Sequence, residues 1–377
     1  MKISKTLPIL LAILLLGILV SCSSEGVVDD AFTVTVSFNG NGATSGDMAA
    51  QKVGRGSDTR LEANAFERTF YSFTGWNTAP DGSGTAYTDR QSISTKENIT
   101  LYAQWELNSV VLTSSTKYWT DGNVYVLNSD VTINDWVTVT GNAALILTDG
   151  NTLTVSYGVY VSDGNTLTID AQGEGTGRLI ANGNNGHAGI GGEIDIDCGT
   201  VIINGGYIIA TGGYNAAGIG GGQNGYGGEI TINGGNVHAT GSDSAGIGGG
   251  KNGDGGVITI NEGTVTASGG FYAAGIGGGQ SGDGGEITIN DGTVTATGGV
   301  YAAGIGGGQS GDGGVITING GTVLAMGDHS EAGIGGGVGG DDGTLNLGTG
   351  VSLKVSTDSS NWSDYDGLTR RQYMKTV

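Results

Sequence analysis

Residues 274–302 read AGIGGGQSGDGGEITINDGTVTATGGVYA, and nearly the same line is written before and after them. The opening AGIGG occurs six times, with its first glycine at Gly189, Gly218, Gly246, Gly275, Gly304 and Gly333, at spacings of 29, 28, 29, 29 and 29 residues. A fixed period of this size predicts a solenoid with one unit per coil. Within the unit, Glu286-Ile287-Thr288-Ile289-Asn290 and Thr293-Val294-Thr295-Ala296 alternate between apolar and polar residues, as half-buried strands do. AGIGG makes a third, flatter side. No stretch has helical spacing. The expected fold is all-β, with a parallel, right-handed β-helix of 29-residue coils over residues 108–350.

Stacking explains the columns. Hydrogen-bonded strands lie about 4.8 Å apart, so residues one period apart form ladders. Ile230, Ile258, Ile287 and Ile316 point inward together, as do Ile232, Ile260, Ile289 and Ile318. Val265, Val294 and Val323 fill a second wall, and Ile219, Ile247, Ile276, Ile305 and Ile334 a third. Asn233, Asn261, Asn290 and Asn319 end the first strand of each coil, where stacked amides can bond from coil to coil. Glycine supplies 78 of the 377 residues, and the repeat places it at corners that need positive φ or close backbone approach. With only 2 prolines and no triplet period, collagen is excluded.

Upstream, Asp149-Gly150-Asn151-Thr152-Leu153-Thr154 and Asp163-Gly164-Asn165-Thr166-Leu167-Thr168 recur 14 residues apart. With Val124–Leu127 and Val131–Ile133 they read as less regular first coils. Terminal coils must close an open hydrophobic end, so irregularity is expected there. Residues 351–377, with Trp362, Tyr365, Arg370, Arg371 and Tyr373, read as a C-terminal cap. The AGIGGG and TINGGTVTATGG units resemble glycine-rich β-helix surface proteins of bacteria, a group similar to pectate-lyase-like and carbohydrate-binding solenoids.

The N-terminus reads as an address. Lys2 and Lys5 precede an apolar run from Leu7 to Val20, too short to span a bilayer and built like a signal peptide over residues 1–21. The run ends Leu19-Val20-Ser21-Cys22, which resembles the bacterial lipobox. That resemblance implies acylation of Cys22, a lipid bilayer as partner, and the cell envelope, at the outer membrane or cell surface, as location. Residues 22–31 then form a tether. Cys198 is the only other cysteine, so an acylated Cys22 leaves no intramolecular disulfide.

Residues 32–106 form a small β module. Phe32–Phe38 alternates apolar and polar, and Asn39-Gly40-Asn41-Gly42 breaks the strand with turn chemistry. Gly75-Trp76-Asn77-Thr78, Asp81-Gly82-Ser83-Gly84-Thr85-Ala86-Tyr87 and Thr100–Trp105 follow. This combination resembles the Listeria–Bacteroides repeat, the internalin B-repeat-like module. The resemblance implies a β-grasp-like fold and a spacer or adhesion role, with no catalytic residues. Trp76, Tyr87 and Trp105 are expected in its core, with sugar binding as the alternative.

Chemistry on the solenoid is sparse. A net charge of −21 opposes nucleic acid as a partner. Asp254, Asp283, Asp312 and Asp341 share one column, with Tyr226 at the same place in an earlier coil. Such a ladder is a candidate calcium site, with Gln280, Gln309 and carbonyls as further oxygens. No other cofactor is implied. Tyr214 and Phe271 share a column, as do Tyr272 and Tyr301, and are candidates for stacking on a glycan. Lyase or hydrolase chemistry needs clustered acids in distinct environments and a base. Residues 110–350 hold only Lys117, Arg178 and Lys251 as basic side chains, and His187, His238 and His329 occupy different repeat positions. The expected function is non-enzymatic: adhesion, or binding of a glycan or a host or matrix protein, at the bacterial cell envelope. A structural spacer and a polysaccharide lyase or hydrolase are the alternatives.

Overall fold

A computed structural model describes residues 32–328, 333–356 and 363–364. The expectations for residues 1–31, Cys22 among them, lie outside the described residues, as do His329, Trp362 and Tyr365 onward.

The N-terminal module is a mixed five-stranded sheet. Its strand order is Gln51–Gly54, Thr33–Asn39, Ile99–Leu107, Tyr71–Asn77 and Ala86–Tyr87. Thr33–Asn39 runs antiparallel to Gln51–Gly54 and parallel to Ile99–Leu107, so the first and last strands of the sheet sit side by side. The alternation seen in the sequence sets its faces: Val34 and Val36 are buried, with half-buried neighbours between them. Trp76 is fully buried, with Phe38 at 4.9 Å and Phe66 at 6.2 Å between ring centroids. It is the core aromatic expected of this segment; Tyr87 and Trp105 are half-buried.

From Ser109 onward the chain winds as a parallel β-solenoid with three walls. The first wall has ten strands, from Ser109–Val111 to Thr344–Leu347. The second runs from Val131–Ile133 to Ser352–Ser356, where Ser363–Asp364 adds an antiparallel edge. The third has nine strands, from Tyr118–Thr120 to Ile334–Gly335, mostly two residues long. The inward ladders pair in register: Ile230 with Ile258, Ile258 with Ile287 and Ile287 with Ile316. Their outward neighbours are half-exposed threonines, so each strand buries one face only. One continuous cluster of Ile, Val, Leu and Ala runs the length of this unit. Burying such a side chain contributes about 1.5–3 kcal/mol.

The asparagine column is a bonded ladder. Asn319, Asn290, Asn261 and Asn233 each donate Nδ2 to Oδ1 of the preceding coil's asparagine, at 2.7–2.8 Å, ending at Asn204. Asn204 donates in turn to Asp170 at 2.7 Å.

The third wall decides where glycine is obligatory. Gly191, Gly220, Gly248, Gly277, Gly306 and Gly335 all hold φ between 130° and 140°. A Cβ added to Gly277 would lie 2.1 Å from the carbonyl oxygen of Gly306. Both the φ and the distance exclude a side chain, so the glycine column is what lets this wall close flat.

The two DGNTLT segments do not mark successive coils. Thr152–Val155 belongs to the second wall and Thr166–Ala171 to the first. The coil intervals there are 20 residues from Val124 to Ala144 and 24 from Ala144 to Thr168. The 14-residue echo reflects turn chemistry: two corners of adjacent walls both need Asp-Gly-Asn. Cys198 is buried in the solenoid core, and burial, with Asp197 nearby, pushes its thiol up to about 12.

Gly277→Ala is expected to destabilise the protein by at least about 3 kcal/mol, from backbone strain plus the clash. Gly173→Ala, at a glycine without positive φ and with nothing within 4 Å of an added Cβ, is the control and is expected to be neutral. Urea unfolding of both variants checks this.

Candidate functional site

The aspartate column is built as expected but is held by amides. The backbone N–H of Asp283 donates to Oδ1 of Asp254 at 2.9 Å, Asp312 to Asp283 at 2.8 Å, and Asp341 to Asp312 at 2.7 Å. The ladder starts earlier than the sequence indicated, since Tyr226 N donates to Asp197 Oδ1 at 2.8 Å. A corner amide has lost its strand partner, and the preceding carboxylate supplies an acceptor. Hydrogen bonds to the charged form offset repulsion along the row. Calcium needs several oxygens converging on one point. The column offers one carboxylate per coil, and the backbone carbonyls of Gln280 and Gln309 already accept from Asn252 and Ser281. Among the described residues no three or more of His, Cys, Asp and Glu are grouped to hold a metal ion.

The aromatic candidates divide. Phe271 and Tyr272 meet edge to face at 4.6 Å, and Tyr272 and Tyr301 stack at 6.3 Å with their planes 9° apart. Tyr214 shares Phe271's column, but the coil of Ser242 and Asp243 lies between them. Phe271, Tyr214 and Tyr301 are 54%, 60% and 37% exposed. Tyr301 holds φ 69°, in a corner where other coils place Gly186, Asn215 and Asp243 at 76°, 64° and 51°. Glycine, asparagine and aspartate tolerate that region; a bulky tyrosine is strained there. The pairing of Thr293–Val300 with the next strand also slips between Thr297 and Val300, just ahead of Tyr301. Irregularities of this kind re-aim side chains.

The early coils gather ionisable groups that the repeat pattern did not bring together. Trp136, Tyr160 and His187 stack at 6.3 and 4.8 Å, with planes 10° and 19° apart. Lys117 pairs with Asp135, which the ammonium and the Trp136 amide hold below the usual carboxylate range. Burial, then Glu193 and Asp135, push the Tyr160 hydroxyl up to about 12. Burial also lowers His187, against the pull of Glu193. Tyr160 therefore stays protonated and His187 neutral at ordinary pH, and Lys117 is committed to its partner. Arg178 lies over the Tyr207 ring at 4.8 Å, with His238 on the same ring at 5.3 Å.

With this geometry in view, two family models match. Residues 35–104 match the Listeria-Bacteroides repeat domain. Residues 201–223, 230–251, 258–280, 287–309 and 316–338 match the beta helix repeat, one segment in each of five consecutive coils. The chain joins a Listeria–Bacteroides repeat-like domain to a parallel β-helix. No curated protein and no solved structure matches it.

Asp283→Ala removes the acceptor for the Asp312 amide and is expected to cost about 1 kcal/mol. Asp283→Asn keeps an acceptor oxygen and should lose less than half of that in urea unfolding. A calcium ladder would instead make both variants equally damaging, and only when calcium is present.

Proposed function

We propose that this chain is a non-enzymatic, lipid-anchored protein of the bacterial cell envelope that holds a glycan at the aromatic corner of its solenoid. The observation that carries the reading is the aromatic group of exposed Phe271, half-buried Tyr272 and exposed Tyr301, with Tyr301 kept at a strained φ of 69°. Strain at an exposed aromatic is the mark of a site where position matters more than local stability. Aromatic faces flanked by amides suit the apolar faces and hydroxyls of sugar rings. Gln280 and Gln309, half-buried in the same coils, supply such amides.

The anchor rests on Leu19-Val20-Ser21-Cys22, with the acylated Cys22 seated in the bilayer. Several acyl chains hold a protein to a membrane far more firmly than one. A two-module, all-β architecture suits adhesion or display at a surface. The non-enzymatic reading is supported by the commitments of two of the three basic side chains in residues 110–350. Lys117 is paired with Asp135 and Arg178 lies on Tyr207, so neither is free to abstract a proton. The ladder aspartates share one environment, which leaves nothing to separate an acid from a base.

Bacteria carrying the protein are expected to be retained on an array of neutral glycans. The triple variant Phe271→Ala, Tyr272→Ala, Tyr301→Ala should lose that retention. Cys22→Ser should also lose it for whole cells, while the released protein still binds. Retention of the triple variant would overturn the aromatic corner. Binding to no glycan or matrix protein would favour a spacer, and release of sugar products from an acidic polysaccharide would favour a lyase or hydrolase.

A further inference from the structure

Among the described residues one corner between the first and second walls is longer than the others, and it opens a groove. Regular coils turn from first to second wall in three residues, as Asn204–Gly206 does between Thr200–Ile203 and Tyr207–Thr211. One coil uses six, residues 172–177, between Thr166–Ala171 and Arg178–Asn182. The longer loop stands over the next corner. Between them lies an open groove of about 460 Å³, lined by Asp170, Gln172, Glu174, Asn204, Tyr207 and Asn236, with Gly205 among the glycines on its floor. That volume falls within the range of about 300–1,000 Å³ usual for small-molecule sites.

The loop is fastened. The Asp149 carboxylate accepts the amides of Glu174 and Thr176, each at 3.1 Å, and the Thr176 hydroxyl at 3.3 Å. Gln172 Oε1 accepts the Asp149 amide at 3.1 Å. The rim is therefore ordered before any ligand arrives, which removes part of the entropic cost of binding.

Two features mark the floor as kept open. Gly205 has no left-handed φ to satisfy, and an added Cβ would meet only Ala171, its Cβ at 3.2 Å and its amide nitrogen at 3.8 Å. After the ladder asparagine, later coils carry Gly234 and Gly320 at the same place in two cases and Glu262 and Asp291 in two others, so the backbone there accepts a side chain. Gly206, one residue on, is required by its φ of 90°; Gly205 is not. The second feature is Asn236. Its Oδ1 is shielded from solvent and has no hydrogen-bond partner among the described residues. Later coils pair threonines at that register, Thr264, Thr293 and Thr322. A shielded acceptor without a donor is costly unless something supplies one.

The chemistry of the lining selects the ligand. Its side chains are rich in acceptors: the carboxylates of Asp170 and Glu174 and the amide oxygen of Asn236. The Tyr207 ring is already covered by Arg178, so stacking is not the main contact. We propose that this groove binds a saccharide bearing free amino groups, whose ammonium and hydroxyl donors face Asp170, Glu174 and Asn236. This extends the glycan-binding reading to a second place on the solenoid, and it does not depend on the aromatic corner.

The test is titration of the full chain with glucosamine disaccharide, cellobiose and digalacturonate in parallel. Glucosamine disaccharide is expected to bind at least tenfold more tightly than cellobiose, and digalacturonate not to bind. Gly205→Glu, which copies a residue the repeat already uses, should weaken binding at least tenfold. Asn236→Thr, copied from the later coils, should weaken it several-fold. Glu262→Gln, at the matching corner position outside the groove, should leave it unchanged, so that the loss in Gly205→Glu places binding at this groove and not at the aromatic corner. No binding of glucosamine disaccharide, equal binding of digalacturonate, or full binding by a folded Gly205→Glu variant would overturn the proposal. Circular dichroism of each variant reports whether it is folded.

Discussion

Backbone hydrogen bonding between successive coils is the constraint on which the solenoid depends. Each coil must lie one strand spacing from the next on three walls at once. The first two walls meet that condition with alternating strands, whose inward Ile and Val columns fill the core. The third wall meets it with glycine, since the carbonyl of the next coil stands where a Cβ would be, as between Gly277 and Gly306. Glycine abundance, which in another setting would point to disorder, is here the condition for order.

The same register turns chance polar residues into ladders. Asn204 to Asn319 pass one hydrogen bond along five coils, and Asp254 to Asp341 cap one another's amides. These columns look like binding motifs in the sequence because they repeat. They repeat because each coil has the same corner to satisfy. Function is better sought where the repeat fails: at Tyr301, strained in a corner made for Gly or Asn, and at the loop of residues 172–177 beside Gly205.

The regular coils were legible because their period is constant. The Ile and Val columns, the asparagine ladder and the flat AGIGG wall follow directly from the 29-residue spacing. The early coils were not, because their intervals change from 20 to 24 to 34 residues, the last from Thr168 to Ile202. A fixed spacing therefore could not assign the DGNTLT segments to walls or bring Lys117, Asp135, Tyr160, His187 and Glu193 into one region. The groove was hidden for a related reason. It arises from a difference in loop length between neighbouring coils, and aligning columns removes such differences. The aspartate column follows from the spacing, but its bonds to backbone amides do not, because side-chain spacing does not reveal them.

The central claim is that each 29-residue unit is one interchangeable coil held by register with its neighbours. Deleting residues 274–302 removes one unit and brings like corners together. The account predicts a shorter protein that keeps its β circular dichroism and unfolds cooperatively in urea. A control deletion of residues 274–287, about half a coil, should not fold. If the 29-residue deletion collapses or aggregates as the half-coil deletion does, the claim is contradicted.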